Sequence, residues 1–191
     1  HGANQYAPMT GIPRLTRAIA DKIASHYDRT LDPVTEITVT LGATEAIFDA
    51  VQCVVRPGDE VIVFDPAYDL YDPAVTLAGG RCIHLPLDPD DFSIPWQALE
   101  QAVTDRTRLI MVNTPHNPCS SVLSAQDLDR LWHLVKDRNI FLVSDEVYEH
   151  IIFDGLTHQS LLRHDDLFRR SFVISSFGKT YHMTGWRVGY C

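Results

Sequence analysis

The chain has 191 residues, with 16 basic and 25 acidic side chains and a formal net charge of −9. A hydrophobic fraction of 45% and a charged fraction of 21% are typical of globular proteins, which excludes a disordered chain. The acidic balance argues against a general nucleic-acid binder, and no apolar run reaches the roughly 18 residues of a membrane span. We therefore expect neither nucleic acid nor membrane among the partners.

Cysteine and histidine spacing predicts neither a disulfide framework nor a metal site. The four cysteines are far apart and form no C-x-x-C pair, so we expect free thiols and a reducing, cytoplasmic setting. None of the nine histidines belongs to an H-E-x-x-H motif. We expect no bound metal.

Helical and strand-like segments alternate along the chain. An apolar stripe predicts a helix that opens at Pro13, a second stripe runs from Ile47 to Val54, and a third helix begins at Ser124, where Ser124 and Asp127 match a capping box. Strands separated by helices are typical of a largely parallel sheet covered on both faces. We predict one α/β domain over residues 1–191 with a seven-stranded, mostly parallel sheet. The predicted strands are residues 35–40, 60–64, 81–86, 109–112, 140–144, 172–175 and 187–191.

Polar residues follow five of these strands, at the point where each strand ends. In open α/β sheets, ligands bind beyond the carboxyl ends of the strands, so we expect these segments to form one site. The segments are residues 42–46, 65–68, 113–118, 144–148 and 175–180.

Only three lysines occur in the sequence: Lys22, Lys136 and Lys179. Lys22 and Lys136 fall within predicted helices, on faces that we expect to be solvated. Lys179 directly follows a strand, and a lysine at a buried sheet end loses its proton more easily, as a Schiff-base lysine must. Lys179 is therefore the candidate for amine chemistry.

Two further segments have both a structural and a functional interpretation. Gly42, Ala43 and Thr44 open a helix whose free N–H groups favour a phosphate, although such a turn is more often a plain helix cap. Asp145 ends an apolar strand, where it is either a helix cap or buried ion pair, or a carboxylate that binds a cation in a low-dielectric site.

Two nucleotide-binding motifs are excluded by the sequence. The Gly178-Lys179-Thr180 run lacks the first glycine of a P-loop, whose place is taken by Val173. No G-x-G-x-x-G motif occurs, which argues against a dinucleotide fold.

The segment from Ser175 to Tyr190, with Lys179 and with Arg187 eight residues later, resembles the lysine-attachment signature of the fold-type I, class I/II pyridoxal-phosphate aminotransferases. Residues 42–46, 113–118 and 144–148 resemble three further blocks of that family, in the family's order. The resemblance spans the whole chain. Residues 4–11 and 179–191 are most similar to the bacterial methionine aminotransferases, a group near the kynurenine and glutamine transaminases.

The resemblance implies pyridoxal 5′-phosphate as the cofactor. It also implies transfer of an amino group from an amino acid (methionine, or an aromatic or kynurenine-like one) to a 2-oxo acid. Lys179 would hold the cofactor as a Schiff base and move a proton at the substrate Cα, and Asp145 would keep the pyridine nitrogen protonated. Further cofactor-binding roles are implied for Asn117 and Tyr148 at the ring oxygen, Tyr68 on the ring face, and Gly42, Ala43, Thr44, Ser176 and Arg187 at the phosphate.

Members of this family are homodimers about twice as long as this chain. Tyr6 resembles the tyrosine that reaches the phosphate of a neighbouring subunit. The family's N-terminal arm and its C-terminal small domain, which grips the substrate carboxylate, would lie outside these residues, so we expect the chain to be part of a longer enzyme.

Two alternatives share the same cofactor residues: β-elimination from sulfur amino acids, and a non-catalytic, cofactor-binding regulatory domain. Tyr71 fits either a substrate pocket or the core, and His116 is left outside the site.

Overall fold

The computed structural model describes residues 4–191, so the first three residues of the predicted domain lie outside it. Seven strands form one sheet in the order β1-β7-β6-β5-β4-β2-β3. Strands β2 to β6 pair in parallel with one another, whereas β7 runs antiparallel to both β1 and β6. The predicted seven-stranded, mostly parallel α/β sheet is confirmed. The strands are β1 (Val39–Thr40), β2 (Glu60–Asp65), β3 (Arg81–Pro86), β4 (Thr107–Asn113), β5 (Phe141–Asp145), β6 (Ser171–Ser176) and β7 (Gly189–Tyr190).

The three predicted helices are present, and shorter helices fill the remaining connections. The capping box at the third helix is confirmed, because the Ser124 side chain accepts from the Asp127 N–H while the Asp127 carboxylate accepts from the Ser124 N–H. The α-helices of the described residues are α1 (Pro13–Tyr27), α2 (Gly42–Val54), α3 (Tyr71–Leu77), α4 (Trp96–Ala102), α5 (Ala125–Val135), α6 (Asp165–Phe168) and α7 (Phe177–Thr180).

Helices cover both faces of the sheet. On one face, Ile110 and Leu142 pack with Leu131 of α5 in one apolar cluster. On the other face, Leu109 and Val143 pack with residues of α2 and α3 in a second cluster. Since successive residues of a strand point to opposite faces, the continuous apolar runs seen in the sequence are explained by burial on both sides.

The first and last strands are shorter than predicted. Residue 35 does not open β1, since the Asp32 carboxylate accepts bonds from the Val34 N–H and the Thr35 hydroxyl and holds a local turn. Arg187 cannot extend β7 because its φ of 54° lies in the left-handed region.

Lys22 does not lie on a solvated helix face, so that prediction is wrong. Its Nζ is 2.5 Å from Oε1 of Glu149 and donates to the Tyr190 hydroxyl at 2.9 Å. The side chains of Lys22 and Glu149 are 19% and 3% exposed. Lys136, by contrast, is exposed at the end of α5, as expected.

Among residues 4–191, the helices fall short of the length and apolarity needed to cross a membrane. The four cysteines of this part of the chain have free thiols.

Candidate active site

A cavity of about 190 Å³ lies at the carboxyl ends of β4, β5 and β6, between the start of α2 and the loop after β2. This is the edge at which the five polar segments were expected to meet. Tyr6 does not line the cavity, and its side chain is fully exposed. The cavity brings together Gly42, Ala43, Thr44, Tyr68, Asn117, Asp145, Tyr148, Ser176, Lys179 and Arg187, which are the other ten residues predicted to bind the cofactor.

Asp145 is a buried carboxylate that faces this cavity. Its side chain ends β5 with only 5% of the residue exposed, and Oδ2 accepts a hydrogen bond from the Tyr71 hydroxyl at 2.9 Å. Burial raises the pKa of Asp145 to about 6, against the opposing effect of the Tyr71 bond. Within residues 4–191 no basic side chain forms an ion pair with it. A cation in the cavity would therefore find a carboxylate ready to pair.

Tyr71 supports Asp145 from the core side, a role that the sequence does not reveal. The residue is 4% exposed and does not line the cavity. Of the two expected positions, substrate pocket or core, the structure places Tyr71 in the core. Burial and, after it, the charge of Asp145 raise the pKa of Tyr71. The phenol therefore stays protonated and acts as the hydrogen-bond donor to Asp145. The two residues are 74 positions apart, and nothing local in the sequence signals their contact.

Asn113 links the loop of residues 113–118 to the end of β5. Its Nδ2 donates to the Asp145 carbonyl oxygen at 2.8 Å, and its Oδ1 accepts from the Asn117 N–H at 2.7 Å. Both side-chain functions of Asn113 are thus used to hold Asn117 beside Asp145. The sequence pointed to this loop but not to this bracing role of Asn113.

Lys179 lies on the short helix α7, which follows β6 directly. Its side chain lines the cavity but is exposed, not buried as expected for the sheet end, and Nζ lies 5.6 Å from the centre of the Tyr148 ring. The N–H of Phe177 donates to the Val188 carbonyl at 3.0 Å, which fixes the start of α7 against the segment that carries Arg187. Lys22 and Lys136 are not among the cavity residues.

The start of α2 and Arg187 form a cradle whose groups suit an anion. Helix α2 begins at Gly42 without a side-chain cap, so its first N–H groups are free to bind a ligand. Arg187 Nη2 lies 3.5 Å from the Thr44 hydroxyl oxygen, which brings the guanidinium to the same helix end. Gly42 has a φ of +76°, and a Cβ there would lie 2.6 Å from Arg187 Nη2. The positive φ favours glycine, and a larger residue would require the Arg187 guanidinium to move.

Gly189 allows β7 to approach this helix end closely. A Cβ on Gly189 would lie 2.4 Å from the Gly42 carbonyl carbon and 2.5 Å from the Ala43 nitrogen. Both neighbours are backbone atoms that cannot rotate away, so the position accepts no larger residue without a shift of the chain. The sequence did not single out Gly189.

Tyr68 completes the cavity on the side of the loop after β2. Its ring is 38% exposed and meets the Tyr71 ring edge-on, with centroids 5.8 Å apart. Tyr71 therefore contacts both Asp145 and the side chain predicted to stack on the cofactor ring.

The residues present fit pyridoxal phosphate in three independent ways. The cradle at Gly42 suits a phosphate, the unpaired Asp145 carboxylate suits a protonated pyridine nitrogen, and Lys179 offers an amine. All three border one cavity.

The sequence profile described as "Aminotransferase class I and II" matches residues 1–191. The methionine aminotransferase of Escherichia coli (strain K12) is 51% identical over 190 residues, which cover 100% of this chain and 49% of that protein. A Mycobacterium tuberculosis protein named probable N-succinyldiaminopimelate aminotransferase is 44% identical over 191 residues, covering 99% of this chain and 48% of the relative.

Solved structures agree with these relatives. YbdL of Escherichia coli, described as having a methionine aminotransferase function, superposes with a TM-score of 0.97 at 51% identity. The match covers 100% of this chain and 50% of the YbdL chain. An aromatic aminotransferase from Pyrococcus horikoshii OT3 gives a TM-score of 0.93 at 38% identity, over 97% of this chain and 50% of the other. The chain spans about half the length of the relatives it matches. By its sequence over residues 1–191 and by its fold, the chain belongs to the class I and II aminotransferase family.

Proposed function

We propose that the protein containing this chain transfers an amino group from an amino acid to a 2-oxo acid, with pyridoxal 5′-phosphate bound in the cavity at the sheet edge. The observation that carries the proposal is the meeting of Lys179, the buried Asp145 carboxylate and the Gly42–Arg187 cradle around one cavity. The family to which the chain belongs supports the same activity.

When bound, pyridoxal phosphate supplies a protonated ring that withdraws electrons and stabilises the negative charge left when the substrate Cα loses its proton. Asp145 would hold the proton at the ring nitrogen, because a buried carboxylate without a protein cation pairs strongly with a protonated nitrogen. Lys179 would hold the cofactor and carry the proton to and from the substrate Cα. Asp145 would thus supply the negative charge at the ring nitrogen, and Lys179 would supply the proton acceptor at the substrate Cα.

Four other residues would orient the cofactor. Asn117, which Asn113 braces, and Tyr148 would bind the ring oxygen, and Tyr68 would cover the ring face. Arg187 would pair with the phosphate beside the free N–H groups of α2. Gly42, Ala43, Thr44 and Ser176 complete the proposed phosphate contacts.

We propose methionine as an amino donor, with aromatic or kynurenine-like amino acids as further donors. The support is the 51% identity to the Escherichia coli methionine aminotransferase over the whole chain. Incubation with methionine and a 2-oxo acid should yield a new amino acid and the 2-oxo acid of methionine. Release of ammonia from a sulfur amino acid without a new amino acid would instead indicate elimination.

We also propose that the protein is a homodimer in which Tyr6 reaches the phosphate of the partner subunit. Tyr6 and Met9 are almost fully exposed here, as are large parts of Leu41 and Trp186 beside the cradle. Leu41 and Trp186 directly precede Gly42 and Arg187 in the sequence, and exposed apolar side chains around a site are typical of a surface that another chain covers.

The proposed lysine role is tested by trapping. Borohydride reduction of the full-length protein with pyridoxal phosphate, followed by peptide mapping, should place the reduced adduct on Lys179. Lys179→Ala should lower kcat by about 10²-fold to 10⁴-fold or more, since it removes the proton carrier, and should leave part of the non-covalent cofactor affinity.

Lys136→Ala is the matched control, because Lys136 is exposed at the end of α5 and outside the cavity. It should keep normal turnover. An adduct on Lys22 or Lys136, or normal turnover in Lys179→Ala, would contradict the proposal.

A further inference from the structure

A second group of reactive side chains lies on the edge strand β3, outside the active-site cavity. Cys82 and His84 are two positions apart on β3, so both point to the same face of the sheet. Helix α3 packs against that face and brings Asp72 to them. One ligand atom from each of Asp72, Cys82 and His84 lies within 4.8 Å of the other two. None of the three lines the cavity that holds Lys179.

The imidazole of His84 has a defined orientation in this group. Its Nδ1 is 3.0 Å from Oδ1 of Asp65, at the end of the neighbouring strand β2, and its Nε2 is 3.7 Å from Oδ2 of Asp72. When Nδ1 donates its proton to Asp65, Nε2 carries the lone pair and lies on the side of Asp72. Metal-bound histidines are held in the same way, by a carboxylate behind the ring nitrogen that does not touch the metal.

The donor set suits a metal ion of borderline softness. A thiolate, an imidazole nitrogen and a carboxylate oxygen are the three ligand types that Zn²⁺ prefers. Bond lengths of about 2.0 to 2.3 Å place tetrahedral ligand atoms roughly 3.3 to 3.7 Å apart, so ligand atoms that lie within 4.8 Å of one another need to approach by no more than about 1.5 Å. Asp72 and His84 are exposed side chains that can rotate by this amount, and their exposure leaves a fourth position open to water.

We propose that Asp72, Cys82 and His84 bind a divalent transition-metal ion, with Zn²⁺ preferred, water as the fourth ligand and Asp65 orienting His84. Cys82 binds as the thiolate, and its proton passes to the buffer when the metal binds. Motif spacing predicts no metal because Asp72 is ten positions before Cys82, but the packing of α3 on β3 closes that gap. The proposal does not depend on the proposed transamination.

Cobalt substitution tests the site in the full-length protein with its cofactor bound. Titration with Co²⁺ should give one bound ion with a thiolate-to-cobalt charge-transfer absorption, and Zn²⁺ should displace it. Cys82→Ser should remove this absorption, and both Cys82→Ser and His84→Gln should lose one equivalent of bound Zn²⁺. Cys53→Ser, which changes an exposed cysteine outside the group, should bind Co²⁺ and Zn²⁺ as the unchanged protein does.

Asp65→Asn tests the orienting role separately, since Asp65 is proposed not to touch the metal. It should keep the cobalt absorption and weaken Zn²⁺ binding by about 10-fold to 100-fold. Zn²⁺ should raise the melting temperature of the unchanged protein but not that of Cys82→Ser. Equal metal-free melting temperatures show that the variants fold. No thiolate absorption with Co²⁺, or an absorption that persists in Cys82→Ser, would overturn the proposal.

Discussion

At the scale of single residues, the proposed chemistry depends on a carboxylate that the fold keeps both buried and ionisable. Burial alone favours the neutral form of Asp145, whereas the Tyr71 hydroxyl donates a hydrogen bond that favours the charged form. A neutral carboxyl would hold a protonated ring nitrogen poorly. Tyr71 is therefore a positioning residue that acts through Asp145.

Tyr71→Phe should raise the pKa of the Asp145 carboxyl further above its present value of about 6. A hydrogen bond to a charged group contributes about 1.5 to 3 kcal/mol, which corresponds to a rise of roughly one to two pH units. The measurement is a pH titration of this carboxyl by infrared or ¹³C NMR in the cofactor-free, full-length protein. Affinity for pyridoxal phosphate should fall together with ionisation of Asp145 near neutral pH.

Tyr181→Phe is the control for that experiment, because Tyr181 is exposed and does not contact Asp145. A loss of packing alone would lower the stability of Tyr71→Phe without changing the pKa of the Asp145 carboxyl. An unchanged or lower carboxyl pKa would therefore rule out the positioning role.

At the scale of elements, helix α1 is joined to the chain after β5 by a buried ion pair. Lys22 of α1 pairs with Glu149, whose carboxylate also accepts bonds from the hydroxyls of Tyr27 and Ser175. Burial pushes the pKa of Glu149 up, but these donors hold it below its ordinary value. The contribution of Glu149 to stability is thus present above its unfolded pKa and is lost as the pH falls through the folded value.

Lys22→Met should lower the free energy of unfolding by about 3 kcal/mol or more at neutral pH, since it leaves the buried Glu149 charge without its cation. Urea denaturation of the full-length protein measures this loss. Adding Glu149→Gln to Lys22→Met should recover part of it, because the second change removes the unpaired charge. Lys136→Met should stay close to the unchanged protein, and a similar loss in both lysine variants would contradict a specific role for the pair.

At the scale of the whole molecule, the sequence predicts the layers and the site edge better than the strand order. Apolar runs separated by helices require a sheet buried on both faces, and the polar residues that follow the strands meet at one edge. The antiparallel insertion of β7 between β1 and β6 has no local signal, because strand pairing joins residues far apart in the chain. The segments that follow the strands predict the edge of the site, whereas the ten cavity residues were named from the family resemblance, and their individual roles stay predictions.

The long separation in sequence between contacting residues also explains which contacts the sequence does not predict. The bond from Tyr71 to Asp145, the pair of Lys22 and Glu149, and the contact of Gly189 with Gly42 each join distant segments. A lysine in a helix looks solvated until its long-range partner is known. Local patterns predict where a helix or strand begins, whereas tertiary packing decides which residues its side chains contact.

The proposed dimer has its own test at this scale. The full-length protein should sediment as a dimer. Tyr6→Phe should leave the dimer intact but weaken pyridoxal phosphate binding about tenfold, because it removes only a hydroxyl proposed to bind the partner's phosphate. Tyr181→Phe serves again as an exposed tyrosine control. A monomer at assay concentrations, or unchanged affinity in Tyr6→Phe, would refute this arrangement.

The closeness of Gly189 to Gly42 has a consequence for the stage of folding at which the protein can bind the proposed cofactor. The two sides of the proposed phosphate cradle, Thr44 and Arg187, are 143 positions apart, and of the strands described here β7 is the last to leave the ribosome. Closing so long a loop is slow compared with forming the neighbouring parallel strands. Nascent chains should therefore remain unable to retain pyridoxal phosphate until β7 has entered the sheet, so cofactor loading reports that late step of folding.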